Sequence, residues 1–335
     1  MLDTNQGIKK AIVIGSNCFT GSHIVDALLE DPHCEVAGIS RSPERRAMFL
    51  PYKRRKNPRF AFHQINLVTE MDRLLRFIEQ FRPQVVINVA ALSEVEPSNF
   101  QPVGYFETNT IAVVKLCNKL RTLDFLSRYV HISTAEVYGS CSEPLREGAP
   151  LNPSSPYAAS KAAADMYLMT LVKNYGFPAI LIRSTNVYGM YQQLYKIIPR
   201  AVIYLKMGKP IELHGGGRPI KSWVHIRDVA NGVILAAQRG NPGVYHFSDA
   251  NPLSVAEVVK WFCDYTGKDF DSSTVSIPDR LGQDAQYLLN YSKAKQELGW
   301  CPKVSFEEGV KETLSWLEEC WSDVANEPLV NVLST

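Results

Sequence analysis

Residues 11–30 of the chain are AIVIGSNCFTGSHIVDALLE. A short apolar run at residues 11–14 ends at a glycine, and a helical pattern extends from Gly21 to Glu30. Glycine at such a turn lets the backbone bend tightly and approach a phosphate group, which the N–H groups at the start of a helix attract. The order of strand, glycine loop and helix therefore predicts the first unit of a dinucleotide-binding sheet.

The glycine loop departs from the usual pattern at one position. Gly15 and Gly21 have the spacing of a GxxGxxG loop, but Cys18 occupies the place of the middle glycine. We expect the loop as a whole to face the dinucleotide, which adds Asn17, Phe19 and Thr20 to the predicted cofactor site. A pair of glycines at a strand–helix turn is common, so the assignment depends on motifs later in the chain.

Short buried strands alternate with helical patterns over about 180 residues. The predicted strands are 35–39, 60–65, 85–89, 129–133 and 179–183, and the predicted helices are 72–81, 105–120 and 157–175. This alternation predicts an α/β fold with a doubly wound parallel Rossmann sheet. Beyond about residue 187 the strands are short and interrupted, with helical patterns at 254–265 and 306–316. We expect a dinucleotide-binding domain at 1–186, rejoined by 222–246, and a smaller C-terminal substrate-binding domain at 187–221 and 247–335.

Composition excludes several classes of function. The 335 residues have a formal net charge of +2, which gives no argument for nucleic-acid or membrane binding. The basic run KRRK, residues 53–56, lacks interleaved aromatic residues and is interpreted as a solvated loop. The seven cysteines form no CxxC pair and indicate a reducing compartment rather than a zinc site. Without a signal peptide or a long apolar stretch, we expect a cytoplasmic protein.

The end of the second strand bears on the choice of cofactor. Ser40 and Arg41 stand where a NAD-binding chain usually has an acidic residue for the ribose 2′-hydroxyl. A guanidinium matches a 2′-phosphate in geometry and charge, and Arg45 and Arg46 are close by in the chain. NADP is therefore favoured and NAD is possible, with an exposed basic loop as the structural alternative. Asn66, after the third strand, is a candidate for the adenine.

A second motif predicts the chemistry. The strand at 129–133 runs into STAEVYG, residues 133–139, and Tyr157 and Lys161 lie on a later predicted helix. Residues four apart share a helix face, so we expect the Lys161 ammonium beside the Tyr157 phenol. A nearby cation lowers a phenol pKa that is ordinarily about 10 and makes tyrosine a usable base. Thr134 supplies a hydroxyl that can hold the substrate oxygen during hydride transfer to a nicotinamide.

Together these motifs resemble the extended short-chain dehydrogenase/reductases, the NAD-dependent epimerase/dehydratase family that acts on nucleotide sugars. Further landmarks cover nearly the whole chain: VINVAALSEVEPSNFQP (86–102), SPYAASK (155–161), IRSTNVYG (182–189), GGGRPIKSWVHIRDV (215–229) and LNYSKAKQELGWCP (289–302). The resemblance implies that Thr134, Tyr157 and Lys161 form the catalytic triad. It also places Leu67, Ala90, Ala91 and Asn109 at the cofactor and implies a homodimer formed through helices 105–120 and 157–175.

The residues beside Thr134 indicate which reaction takes place. Members of the family first remove a hydride from a sugar carbon, usually C4, and the ketone acidifies the neighbouring C5–H. In 4,6-dehydratases a carboxylate over C5 removes that proton, water leaves from C6, and the hydride returns to C6. These enzymes usually carry Asp-Glu or Ser-Glu after the threonine, where this chain has Ala135 and Glu136. Glu136 therefore matches the dehydratase base, and a nucleotide-sugar 4,6-dehydratase is the leading hypothesis.

The same resemblance implies a site for a nucleotide-diphosphate sugar, with candidate contacts at Ser93, Glu94, Asn186, Lys196, Arg218, Lys221 and Arg280. The strings YGMYQ (188–192) and YKIIP (195–199) favour a dehydratase. A 4-epimerase, a UDP-glucuronate-type decarboxylase and a non-catalytic dinucleotide-binding module stay open as alternatives. In DRLGQDAQY (279–287), Gln283, Ala285 and Gln286 replace the usual His and Arg. Contacts with the nucleotide are thus partly rewritten.

Overall fold

The strands alternate with helices as the sequence predicts, in a computed structural model that describes residues 7–54 and 56–329. In chain order the strands are β1 (Lys10–Ile14), β2 (Glu35–Ser40), β3 (Phe60–Gln64), β4 (Val85–Asn88), β5 (Arg128–Ile132), β6 (Ala179–Ser184), β7 (Asn186–Tyr188), β8 (Ile211–His214), β9 (Ile220–His225), β10 (Gly243–Phe247), β11 (Pro252–Ser254), β12 (Thr274–Ile277) and β13 (Gln286–Tyr287). Seven of them form one parallel sheet in the order β10-β6-β5-β4-β1-β2-β3. The order reverses between β4 and β1, so the predicted doubly wound Rossmann sheet is confirmed.

Helices cover both faces of this sheet. They are α1 (Phe19–Leu28), α2 (Met71–Phe81), α3 (Val95–Phe100), α4 (Pro102–Phe106), α5 (Ala112–Leu120), α6 (Pro156–Tyr175), α7 (Ile197–Met207), α8 (Ile226–Arg239), α9 (Val255–Thr266), α10 (Phe270–Ser273), α11 (Ser292–Leu298), α12 (Phe306–Glu319) and α13 (Trp321–Val324). Apolar residues of α1, α8 and α11 pack on one face, and those of α2, α5 and α6 pack on the other. Both faces are buried, as parallel sheets require.

The helix predicted at 105–120 is longer and less regular than its pattern indicates. It begins with α4, widens into a π turn at Glu107–Ile111 and continues as α5. Gln101 separates it from the preceding short helix α3. Pro102 starts α4, where its missing N–H costs no hydrogen bond. The π turn places Asn109 at the buried face, a feature that apolar periodicity does not reveal.

The chain returns to the main sheet slightly later than predicted. We expected residues 222–246 to rejoin the first domain, and two elements of that segment do so. Helix α8 packs against α1, and β10 extends the sheet beside β6. Residues 222–225 instead belong to β9, which pairs with β7, β11 and β13 in a separate small sheet. The returning elements thus begin directly after β9, and the division into two domains stays a prediction.

The rest of the C-terminal half forms its own apolar cluster around α7, α9 and α12. Strand β8 pairs with β12 beside it. Within residues 7–54 and 56–329, no helix has the length and apolar character needed to cross a membrane. The cytoplasmic location stays a prediction.

Candidate active site

The loop between β1 and α1 is shaped for close approach by a ligand. Gly15 has a φ of +91°, and a Cβ there would lie 2.7 Å from the backbone nitrogen of Ala90. A Cβ on Gly21 would lie 2.1 Å from the carbonyl oxygen of Gly15. The predicted glycines are thus required by the backbone itself, because no side chain fits at either position. Their compact turn brings the N-terminus of α1 to the edge of a cavity.

Cys18, at the place of the missing glycine, caps helix α1. Its Sγ accepts the backbone N–H of Gly21 at 3.3 Å, the role usually taken by Ser or Asp. Burial raises the pKa of this thiol. The cap therefore stays neutral and adds no negative charge where a phosphate would approach. Cys18, Phe19 and Thr20 all line the cavity.

Asn17 and Ser40 hold the neighbouring loop in place. The Ser40 hydroxyl accepts the backbone N–H of Asn17 at 3.0 Å, and the Asn17 amide donates to the Pro43 carbonyl at 2.6 Å. Its oxygen accepts the backbone N–H of Arg45 at 2.8 Å. These two predicted cofactor residues therefore shape the loop after β2. Arg41 is exposed there.

Arg46, the third arginine of that region, has another partner. It forms ion pairs with Asp323 and Glu327 near the C-terminal end of the described chain. Its guanidinium is engaged far from the glycine loop in sequence. These ion pairs form between residues far apart in the chain, so the spacing of the three arginines does not predict them.

The remaining cofactor candidates differ in their placement. The Asn66 side-chain oxygen accepts the backbone N–H of Val68 at 2.8 Å, which shapes the turn before α2. Ala91 lines the cavity, whereas Leu67 is buried in the core and Ala90 packs behind Gly15. The Asn109 amide is bonded to both backbone groups of Leu92 and to the Ser160 hydroxyl. Asn109 thereby fixes Leu92, which lies in the chain between the lining residues Ala91 and Ser93.

The four predicted catalytic residues lie together. Thr134, Glu136, Tyr157 and Lys161 line one cavity of about 300 Å³, which the first turn of α1 also lines. A cavity with a glycine cradle and a helix N-terminus at one end and hydroxyl, phenol and ammonium groups at the other fits a nicotinamide dinucleotide. The structure thus joins the two motifs that the sequence separates by more than a hundred residues.

Thr134 and Glu136 are held by a short turn after β5. The Thr134 hydroxyl accepts the backbone N–H of Glu136 at 3.2 Å and caps the 3₁₀ turn Ala135–Tyr138. Burial raises the pKa of Glu136 to about 7, and the charge of Lys221 opposes that rise. A carboxyl group of this kind changes its protonation state at neutral pH, as a general base must.

Lys161 is oriented differently from the expectation. Its ammonium donates to the Ile132 carbonyl at 2.7 Å and contacts His131 Nε2 at 3.0 Å, whereas no hydrogen bond to the Tyr157 phenol occurs in the described residues. Burial lowers the Lys161 pKa to about 8, with Asp165 opposing. Burial also raises the pKa of Tyr157, and a hydrogen bond with Thr134 opposes this. The phenol is therefore neutral until a further positive charge enters the cavity.

A buried network lies behind this turn. Asp165 accepts from the Ser133 hydroxyl at 2.9 Å and from Arg183 Nε at 2.8 Å. Arg183 also donates to the Tyr138 hydroxyl, which lies 2.7 Å from His246 Nε2. The network ties α6 and β6 to both ends of the 3₁₀ turn.

A second cavity of about 560 Å³ holds most of the predicted sugar-nucleotide contacts. Its lining includes six of the seven candidates: Ser93, Glu94, Asn186, Lys196, Lys221 and Arg280. Arg218 is exposed and does not line the cavity, because it comes after a turn of three glycines with positive φ. Ser93, Glu136, Asn186 and Lys196 line both cavities, so the two are neighbouring parts of one cleft.

Several charges in the larger cavity are already paired. Lys196 Nζ lies 2.8 Å from Glu94 Oε1, which also accepts from the Tyr195 hydroxyl at 3.1 Å. Lys221 donates to the Asp284 carbonyl at 3.1 Å and lies 4.0 Å from the Tyr287 ring centre. Lys221 is thereby aimed along the cleft, where its charge reaches Glu136.

Sequence reasoning missed several lining residues, of which three bear on the larger cavity most directly. Trp223 and Tyr287 line both cavities, and Arg200 lines the larger one. Arg200 lies in the first turn of α7, four residues after the predicted contact Lys196, so its place in the chain was a usable signal. Trp223 and Tyr287 offer no such pattern, because aromatic residues in short strands usually belong to a core.

Comparison with known proteins places the chain among sugar-nucleotide dehydratases. A family model described as GDP-mannose 4,6 dehydratase matches residues 12–313. A dTDP-glucose 4,6-dehydratase of Haemophilus influenzae is 31% identical over 91% of this chain and 96% of its own length. The enzyme of the same name from Neisseria meningitidis serogroup B is 29% identical over 95% and 97%.

Solved structures agree with this placement. DesIV, a dTDP-glucose 4,6-dehydratase from Streptomyces venezuelae solved with NAD, superposes with a TM-score of 0.87 at 32% identity, covering 96% of this chain and 100% of DesIV. A dTDP-glucose 4,6-dehydratase from Bacillus anthracis with NAD gives 0.84 at 29% identity, covering 92% and 96%. The predicted dehydratase class and nicotinamide dependence are confirmed. This chain belongs to the GDP-mannose 4,6 dehydratase family, within the short-chain dehydrogenase/reductase superfamily.

Proposed function

We propose that this protein removes water across C5 and C6 of a nucleotide-linked hexose and yields a 4-keto-6-deoxy sugar. The observation that carries this proposal is the position of Glu136, which lines both the catalytic cavity and the larger cavity. A carboxyl group there, with its pKa raised to about 7, suits removal of the C5 proton. A simple 4-epimerase needs no base at C5. Residues 187–221 and 247–335 would supply the substrate-binding part.

The residues divide the chemistry between them. When bound, the oxidised nicotinamide supplies a hydride acceptor and a positive charge. Tyr157 takes the proton of the C4 hydroxyl while the Thr134 hydroxyl holds its oxygen. Glu136 takes the C5 proton made acidic by the new ketone. The leaving C6 hydroxyl needs a proton, and because Ala135 offers none, Glu136 would pass on the proton taken from C5, so that one water departs. To complete the product, C6 would take back the stored hydride, Glu136 would deliver a proton regained from solvent to C5, and Tyr157 would release its proton to solvent.

A screen of sugar nucleotides tests this function. GDP-mannose, dTDP-glucose, UDP-glucose, UDP-N-acetylglucosamine and UDP-glucuronate are each incubated with the protein, and the products are weighed by mass spectrometry. We expect one of the neutral hexoses to give a product lighter by one water. An isomer of unchanged mass would instead support an epimerase, and loss of carbon dioxide from UDP-glucuronate a decarboxylase. Dinucleotide binding without any turnover would support a non-catalytic module.

The protonation of Glu136 predicts the pH dependence of dehydration. The carboxyl group acts as a base only when ionised, so activity should rise through about pH 7 and be lost below it. Glu136→Gln should lower the rate of water loss by at least about 100-fold, while oxidation at C4 stays measurable. Glu143→Gln, an exposed change in the same region, is the matched control. Normal dehydration by Glu136→Gln would remove Glu136 from the mechanism.

We propose NADP as the preferred dinucleotide, although the two related dehydratase structures contain NAD. Two features support it: Ser40 replaces the usual acid, and Arg41 is exposed directly beside it. Loss of a charge-assisted contact typically costs about 10-fold or more in affinity, so Arg41→Ala should weaken NADP by that factor and leave NAD nearly unchanged. Calorimetry with both dinucleotides measures this, and Lys268→Ala is the control. Tighter binding of NAD by the unaltered protein would contradict the proposal.

We also propose a homodimer formed through α3, α4, the π turn and α6. Large apolar side chains are exposed on these elements: Phe100, Val103, Ile111 and Met166. Neighbouring exposed apolar groups of this kind mark protein interfaces. Sedimentation should give twice the chain mass, and Val103→Asp should shift the protein to the monomer while Tyr265→Asp, elsewhere on the surface, does not. A monomeric unaltered protein would refute the dimer.

A further inference from the structure

A chain of hydrogen-bonding groups runs from Lys161 into the centre of the main sheet. Lys161 Nζ lies 3.0 Å from His131 Nε2, and His131 Nδ1 lies 3.4 Å from the Tyr129 hydroxyl. That hydroxyl accepts from the Asn88 amide at 3.1 Å. All four side chains are at most 2% exposed. His131, on β5, has no part in the proposed chemistry, yet it contacts a residue that does.

The partners of His131 fix its protonation. Burial and the Lys161 charge hold the His131 pKa well below its usual range, so the ring is neutral. An ammonium group has only donors, and Nε2 must therefore be the acceptor. The single ring proton then sits on Nδ1 and faces the Tyr129 hydroxyl. The imidazole is thus held as one tautomer with its lone pair directed at Lys161.

This arrangement limits what the Lys161 ammonium can do. Two of its three N–H groups are directed at the Ile132 carbonyl and at His131 Nε2. The third is left to face the cavity that Lys161 and Tyr157 line. A second acceptor also favours the charged form of a group that burial would otherwise neutralise. Burial favours the neutral form of Lys161, although the proposed reaction needs the charged form.

We propose that His131 is a positioning residue that keeps Lys161 charged and directs its remaining N–H into the catalytic cavity. The inference rests on the proposed part of Lys161 and Tyr157 in the reaction. The other titratable groups near this chain are Asp165, whose charge acts on Lys161, Tyr157, which lines the same cavity as Lys161, and Cys117 on α5, which contacts Tyr129. If His131 Nε2 is removed, none of these groups supplies a new acceptor for Lys161, since all of them have the same positions in the unaltered protein.

Two substitutions separate positioning from packing. His131→Leu fills the space but accepts no hydrogen bond, whereas His131→Gln offers an amide oxygen at about the reach of Nε2. The Lys161 titration is followed directly by NMR of the protein with ¹³C-labelled lysine, assigned with Lys161→Met, and requires no substrate. We expect the Leu variant to titrate about one pH unit below the unaltered protein and the Gln variant to titrate close to it.

Turnover gives the second readout. With the sugar nucleotide that the unaltered protein consumes, His131→Leu should lower kcat by about 10-fold or more at neutral pH with KM unchanged, and His131→Gln should restore most of it. Because activity requires charged Lys161, the Leu variant should also lose activity at a lower pH on the alkaline side. If the unaltered protein turns nothing over, the proposed function fails, but the NMR titration still decides the role of His131.

Equal Lys161 titration in the Leu variant and the unaltered protein would overturn the inference. Equal losses in the Leu and Gln variants would overturn it too, because they would show a packing role alone. Tyr129→Phe covers the case in which His131→Leu does not fold. It keeps the aromatic ring but removes the partner of His131 Nδ1, and we expect a smaller shift of the Lys161 titration in the same direction. No shift in that variant would count against the proposal.

Discussion

The contact between the carboxyl end of β5 and the first turns of α6 holds the site together. Lys161 reaches back to the Ile132 carbonyl, and one turn later Asp165 binds the hydroxyl of Ser133. A buried aspartate is costly unless it is paired with an opposite charge. Arg183 supplies the pair and extends it to the 3₁₀ turn that carries Glu136. This contact fixes the groups that lie between the glycine loop and the larger cavity.

Burial in the catalytic cavity raises the pKa of the carboxyl and phenol groups and lowers the pKa of the lysine. Burial raises the pKa of Glu136 to about 7 and lowers that of Lys161 to about 8. In the proposed mechanism, Glu136 must be ionised to remove a proton, and Lys161 must be charged to favour the phenolate. The competent form is therefore confined to a narrow interval near neutral pH. Tyr157, whose pKa burial raises, stays neutral until the positive nicotinamide arrives.

Local pattern predicted much of this structure, and long-range contacts account for what it missed. Strand and helix periodicity predicted the sheet, and the spacing of Tyr157 and Lys161 predicted their common helix face. The local pattern could not predict that the Lys161 side chain turns towards β5, because His131 contacts Lys161 only in the folded chain. Arg218 was predicted as a phosphate contact, but it follows a turn of three glycines with positive φ and is exposed. Arg46 likewise meets its acidic partners only after folding.

In the proposed mechanism, Glu136 removes the C5 proton after a transient ketone has formed at C4 with the help of Tyr157. The most direct measurement is NMR and mass spectrometry of the product formed in deuterium oxide from the sugar nucleotide that the protein consumes. Since the proton on Glu136 exchanges with solvent or leaves with the water, we expect a product that has lost one water and carries a solvent deuterium at C5. A product of unchanged mass without deuterium at C5 would contradict it.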